Sequence, residues 1–221
     1  MRVVVPFGKK NIIGIVIKKQ INLNIDKDLK EIKSVVDEYT CFDKSIFKTI
    51  LWASDYYHHP IGEVFFSFIP TMLRKNNNKT ISKSDTNIEY KINKDDKNLK
   101  LTSEQKNNLQ NLNKIKSFSP SLIYGVTGSG KTEIYLQLAE KFLKKNKSVL
   151  ILVPEINLIP QLVNRFKNRF LGEIGVYHSR KTSNKRLDIW LKSKFGKLKI
   201  VIGTRSSISV SYTHLTLPTI N

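Results

Sequence analysis

The feature that most restricts the fold is an eight-residue run, Gly125-Val126-Thr127-Gly128-Ser129-Gly130-Lys131-Thr132, set between an apolar stretch over 121–124 and a helical pattern over 131–145. Glycines at these positions followed by a lysine and a hydroxyl residue, where a strand-like run meets a helix start, match the pattern of a phosphate-binding loop. The glycines let the backbone curl so that N–H groups face an anion with no side chain in the way. Gly125, Thr127, Gly128, Ser129 and Gly130 form the cradle, and Glu133 closes the stretch on the helix. Lys131 adds a point charge at the β- and γ-phosphates, and Thr132 adds a hydroxyl for Mg²⁺. The bland alternative is a glycine-rich turn that binds nothing.

The surrounding pattern supplies the rest of a layered α/β fold. Apolar runs over 148–153, 174–178 and 199–203 alternate with helical patterns over 158–170 and 183–194, which predicts βαβ units and a mainly parallel sheet. Two of these runs end in polar residues, Pro154-Glu155 and Thr204-Arg205. Open α/β sheets bind ligands at that carboxyl edge, and such groups can grip phosphates without reading bases. Ordinary strand-to-loop turns are the alternative. Upstream, Leu101-Thr102-Ser103-Glu104-Gln105 sets a capping hydroxyl beside a glutamine. Gln105 either faces solvent behind the cap or offers its amide to an adenine edge.

The first third reads differently. Two β-branched runs, 3–7 and 12–18, flank Gly8 and predict a hairpin, and Ile46, Phe47, Ile50 and Leu51 fall at helical spacing before Pro60. A second apolar segment covers 61–69, giving a small α+β unit over 1–73. Lys, Asn, Asp and Ser dominate 74–100, which reads as a linker before a lobe over 101–208. Trp52 and Trp190 fall on apolar helix faces and read as core rather than base-stacking platforms. His58, His59 and His178 read as structural, and Cys41 as inert.

Composition narrows the partners. The 221 residues carry a net charge of +20, and 101–221 alone hold 20 basic against 6 acidic side chains. That excess favours a polyanion such as nucleic acid, although a coding bias toward Lys, Asn and Ile would also raise it. A single cysteine excludes an internal disulfide, and no Cys or His cluster has metal-ligand spacing. No apolar run approaches the roughly 20 residues that span a bilayer. These features together predict a soluble cytosolic protein.

Taken in order, several stretches resemble the N-terminal portion of the bacterial primosomal protein N′ (PriA) family, replication-restart DNA helicases of superfamily 2. In the first half they are Val3-Val4-Val5-Pro6-Phe7-Gly8-Lys9, Leu29-Lys30 and Trp52-Ala53-Ser54-Asp55-Tyr56-Tyr57-His58-His59-Pro60-Ile61-Gly62-Glu63-Val64. In the second they are 101–105, 125–133, Leu152-Val153-Pro154-Glu155-Ile156 with Pro160-Gln161, His178-Ser179, 186–190 and Ile200-Val201-Ile202-Gly203-Thr204-Arg205-Ser206. The resemblance implies a small α+β DNA-binding domain followed by a partial RecA-like P-loop lobe. It implies ATP-driven 3′-to-5′ unwinding of DNA at stalled or repaired forks, and initiation of primosome assembly. ATP and Mg²⁺ are the implied cofactors, with zinc only in the family's C-terminal part. The implied partners are forked or single-stranded DNA, primosome proteins and single-stranded DNA-binding protein, with no membrane, at the nucleoid in the cytoplasm.

Residue by residue, Gly8 and Lys30 match positions lining the family's pocket for a DNA 3′ end. Lys131 and Thr132 match the catalytic phosphate and Mg²⁺ positions, Gln105 the adenine position, and Pro154, Glu155, Thr204 and Arg205 the single-strand track. The family continues past Gly203-Thr204-Arg205-Ser206 into an Asp-Glu-Glu-His segment, a cysteine-rich zinc module and a second lobe. None of these occurs in this sequence. Residues 209–221 therefore read as a tail outside the family pattern, the start reads as incomplete, and 74–100 stand where the family has a winged-helix domain. The expectation is a chain that binds nucleotide and DNA without appreciable hydrolysis or unwinding. The alternatives are a DNA-binding module lacking ATPase activity and an unrelated P-loop ATPase acting on a small substrate.

Overall fold

The computed structural model describes residues 1–19, 29–75, 90–93, 100–115 and 117–210. In chain order the first elements are β1 (Arg2–Phe7), β2 (Lys10–Ile15), β3 (Ser34–Val35), α1 (Lys44–Tyr56), α2 (Ile61–Ser67), β4 (Lys91–Ile92) and α3 (Ser103–Lys114). They are followed by α4 (Lys131–Lys144), β5 (Val149–Leu152), α5 (Ile159–Arg169), β6 (Phe170–Leu171), β7 (Ile174–Tyr177), α6 (Ser183–Lys194) and β8 (Ile200–Gly203). These elements form two compact units.

The first unit is built on the sheet β2-β1-β3, antiparallel throughout. Phe7 pairs with Lys10, so the hairpin loop is only Gly8-Lys9, and Gly8 takes φ +58. A two-residue loop with glycine at its first central position follows the twist of the flanking strands. The runs over 3–7 and 12–18 leave 8–11 for the turn, and the pairing of Lys10 and Asn11 with Phe7 and Pro6 shortens it. Asp43 starts α1 by accepting the Ile46 amide at 2.8 Å, and Pro60 separates α1 from α2. Ile46, Ile50, Val64, Phe65, Ile69 and Leu73 make the core, together with Leu187 and Trp190 of α6.

The presence of α6 is the main departure from the expected division at 74–100. Its span, 183–194, lies inside the expected lobe, yet Ser183–Phe195 packs with N-terminal residues. Lys194 Nζ donates to the Cys41 carbonyl at 3.2 Å, and the Phe195 ring meets Tyr39 edge-on at 5.3 Å. The physical reason is Trp190, which is fully buried in that core and would otherwise face water. Trp190 is thus core, as its pattern suggested. Trp52 is not: it is 37% exposed.

The second unit holds a parallel sheet in the order β5-β8-β7. The central β8 is apolar at every residue before Gly203, and Ile200, Val201 and Ile202 are fully buried, as expected of a strand covered on both faces. Leu136 and Ala139 of α4 and Ile159, Val163 and Phe166 of α5 pack in the same cluster. Two sequence expectations need correction. The run 121–124 forms no strand: Leu122 and Tyr124 are 89% and 93% exposed, and a β-favouring run stays unassigned when its backbone finds no partner. Within 74–100, β4 forms and pairs antiparallel with β6, with the Tyr90 hydroxyl bonded to the Glu173 carbonyl. Residues 76–89 and 94–99 of that stretch, and 211–221 of the expected tail, lie outside the described residues.

Candidate nucleotide and DNA site

The helix α3 begins with a reciprocal cap. The Thr102 hydroxyl accepts the Gln105 amide at 3.3 Å, and the Thr102 amide donates to Gln105 Oε1 at 3.0 Å. The other end of the same side chain reaches the loop, since Gln105 Nε2 donates to the Ser129 carbonyl at 2.8 Å. Gln105 therefore neither faces solvent alone nor acts only as a cap; it joins α3 to the loop.

The loop itself has the shape its glycines permit. Gly128 and Gly130 take φ +83 and +79, a region that L side chains rarely enter. A Cβ on Gly130 would stand 2.4 Å from Gln105 Nε2, and one on Gly125 would stand 2.7 Å from Ser129 Oγ. Lys131 Nζ is drawn over the loop, donating to the Gly125 and Val126 carbonyls at 2.6 and 2.8 Å, with Ser129 Oγ at 3.5 Å. Thr127, Gly128 and Ser129 are exposed, and Thr132 lies half-buried in the first turn of α4. A cation poised over a glycine-lined curl at a helix N-terminus suits a polyphosphate, and the Thr132 hydroxyl is the residue available to a phosphate-bound Mg²⁺.

Glu133 has protein partners of its own. Its carboxylate is buried and accepts from Arg169 Nη2 at 2.8 Å and from Gln137 Nε2 at 3.1 Å. Arg169, at the end of α5, also lies 3.6 Å from Glu140. Burial of a carboxylate demands such a partner. Nothing in the spacing of the sequence flags this pair, nor the buried Arg2–Asp37 pair, where the guanidinium donates to both carboxylate oxygens and to the Leu73 carbonyl.

The strand ends come together as expected. Val153 N–H donates to the Gly203 carbonyl at 2.8 Å, which sets Pro154-Glu155 beside Thr204-Arg205 on the carboxyl edge of β5 and β8. The Thr204 amide donates to the Tyr177 carbonyl at 3.3 Å, and Glu155 and Arg205 are exposed. Because 121–124 do not join the sheet, strand pairing does not carry the phosphate-binding loop to that edge. In the first unit, Gly8 stands at the hairpin turn with open space around it, and exposed Lys30 lies on the segment leading into β3. Among the described residues no group of His, Cys, Asp and Glu is arranged to hold a metal ion. No helix there is long and apolar enough to cross a membrane.

Comparison with known proteins matches two stretches of the chain. Residues 1–70 match the family model described as the 3′ DNA-binding domain (3′BD) of PriA, and residues 98–219 match that of the type III restriction enzyme res subunit. The replication restart protein PriA of Haemophilus influenzae is 32% identical over 97% of this chain and 39% of its own length. That of Rickettsia felis is 35% identical over 99% of this chain and 32% of its own length. The chain belongs to the PriA family of replication restart proteins. It combines that family's N-terminal DNA-binding domain with a helicase-like lobe containing a parallel sheet. The PriA of Bacillus subtilis is 49% identical over a shorter stretch, 42% of this chain. The chain spans about two fifths or less of the length of these PriA relatives.

Proposed function

We propose that this chain is the DNA-end-binding and ATP-binding part of an ATP-dependent 3′-to-5′ DNA helicase that recognises stalled or repaired forks and initiates primosome assembly. The observation that carries the reading is the loop 125–132, with Lys131 Nζ over the Gly125 and Val126 carbonyls and Gln105 bonded to its apex. Nucleotide with Mg²⁺ supplies the free energy of hydrolysis when bound. The chain's own residues do the holding. Loop N–H groups and the α4 N-terminus face the phosphates, Lys131 exchanges its carbonyl partners for phosphate oxygens, and Thr132 presents its hydroxyl to the metal. Gln105 takes the adenine edge with the hydrogen-bonding capacity its amide keeps beyond its bonds to Thr102 and Ser129.

The strand ends serve the polynucleotide. Thr204, Arg205, Pro154 and Glu155 offer a hydroxyl, a cation and exposed backbone along one sheet edge, a set suited to a sugar-phosphate track. In the first unit, Gly8 admits the close approach of a 3′ end and Lys30 supplies charge. Primosome proteins, single-stranded DNA-binding protein, a zinc module elsewhere in the protein and a nucleoid location complete the reading.

The test is binding of a fluorescent ATP analogue to the purified chain and to Lys131→Ala, alongside binding of oligonucleotides with free and phosphorylated 3′ ends. Loss of analogue binding in the variant and preference for the free 3′ end are expected. Equal analogue binding by both proteins, or indifference to the 3′ end, would remove the corresponding half of the proposal.

A further inference from the structure

Helix α1 carries an exposed ridge that neither its core nor the positions discussed above employ. Lys44, Lys48, Trp52 and Tyr56 recur at four-residue spacing and therefore stand in one row, each about 6 Å along the axis from the last. All four are exposed. The Trp52 and Tyr56 rings stack with centroids 5.0 Å apart and planes 26° apart. Tyr57 meets them edge-on, at 4.9 Å from Tyr56 and 6.2 Å from Trp52. Tyr56 and Tyr57 are 63% and 68% exposed, so these rings pack on one another in contact with water.

Contiguous exposed rings mark an interaction surface, and the charges around them select the partner. Lys44 and Lys48 make no ion pair among the described residues. Of the nearby carboxylates, Asp43 is occupied by the Ile46 amide and Glu63 lies 3.0 Å from His59. Asp55 belongs to the adjacent row of α1, with Phe47 and Leu51. The ridge thus presents two cations and then flat rings along one line. That order complements a strand with anionic backbone and exposed base faces, and does not suit a duplex, whose base faces are hidden.

We propose that the α1 ridge is a stacking site for single-stranded DNA, with Trp52, Tyr56 and Tyr57 taking base faces and Lys44 and Lys48 the phosphates of the same strand. It rests on the reading that the first unit binds DNA, and it adds a site separate from Gly8 and Lys30. Because every base has a π-face, this site discriminates single from double strands rather than one sequence from another.

The chain has two tryptophans, and Trp190 is fully buried, so a fluorescence change on binding reports Trp52. The experiment titrates the full chain with an oligothymidylate and with an abasic oligomer of equal length and charge, following tryptophan fluorescence and the anisotropy of a dye on the oligomer. Expected are quenching by the oligothymidylate alone, and roughly tenfold weaker binding by Tyr56→Ala/Tyr57→Ala, with affinity kept by Tyr56→Phe/Tyr57→Phe. Equal affinity for both oligomers with unchanged tryptophan fluorescence would overturn the ridge while leaving DNA binding intact, and would assign the rings to a protein partner. Absence of binding to either oligomer at low salt would overturn the DNA reading and this one together.

Discussion

Gln105 donates to the Ser129 carbonyl at 2.8 Å while its other amide atom accepts the Thr102 amide, so one side chain ties the start of α3 to the apex of the phosphate-binding loop. Gln105→Ala removes both bonds, each worth about 1 kcal/mol net. The affinity for an ATP analogue should fall about tenfold, with the melting temperature lower by only about 5 °C. Titration calorimetry gives the answer, and an unaltered affinity would show that the loop keeps its shape without α3.

The Glu133–Arg169 pair supports the first turn of α4 from below. Its side chains are 6% and 2% exposed, so Arg169→Met strands a buried carboxylate and should destabilise by about 3–5 kcal/mol. At this chain length that corresponds to a melting temperature lower by roughly 10 °C. The double variant Glu133→Gln/Arg169→Met should recover much of the loss. A scanning calorimetry series in which the double variant is the least stable would contradict the ion-pair account.

Gly203 ends β8 where the backbone of β7 passes close by. A Cβ there would lie 1.9 Å from the Tyr177 carbonyl oxygen, a backbone atom that cannot swing away, and 2.1 Å from Ser207 Oγ. Gly203→Ala should therefore force the two strand ends apart and cost about 3 kcal/mol or more. Urea titration measures this directly, and a midpoint equal to that of the parent protein would rule out the close approach.

Burial pushes the Cys41 thiol up to about 11 from 9.0, against the lowering effect of the N-terminal ammonium and with a further rise from Asp37. In the folded chain the thiol is then protonated and inert at pH 8, and iodoacetamide should label it only after denaturant is added. A group whose folded pKa is raised contributes stability below its unfolded pKa and loses it as pH climbs toward the folded value. Cys41 should thus favour the folded state up to pH 9, and that contribution should vanish by about pH 11. Cys41→Ser should flatten this part of the pH profile; an unchanged alkaline decline would assign it to other groups.

Local pattern made much of the architecture legible. The bounds of α6 and the approximate spans of β5, β7 and β8 follow from helical and apolar periodicity, and the loop 125–132 follows from its glycines. Pairing over distance was not legible. Leu122 and Tyr124 have strand propensity but no backbone partner, whereas β4 forms in a polar stretch because Phe170 and Leu171 provide one. Trp52 sits at a helical spacing that suits a core, and only its packing against Tyr56 reveals an outward face. Glu133 looks like part of the loop by adjacency, yet the turn of α4 directs it to Arg169, 36 residues away.

Because Trp190 completes a core that begins at Cys41 and Phe42, the N-terminal unit is not a contiguous segment of chain. During synthesis its apolar seat stays open until α6 has left the ribosome, and the phosphate-binding loop emerges in the interval. Closure of that core by Trp190 has to wait until much of the helicase-like lobe is translated. A polypeptide ending at residue 75 would lack the tryptophan that seals this core, so its apolar seat should be more open to proteolysis than in the full chain.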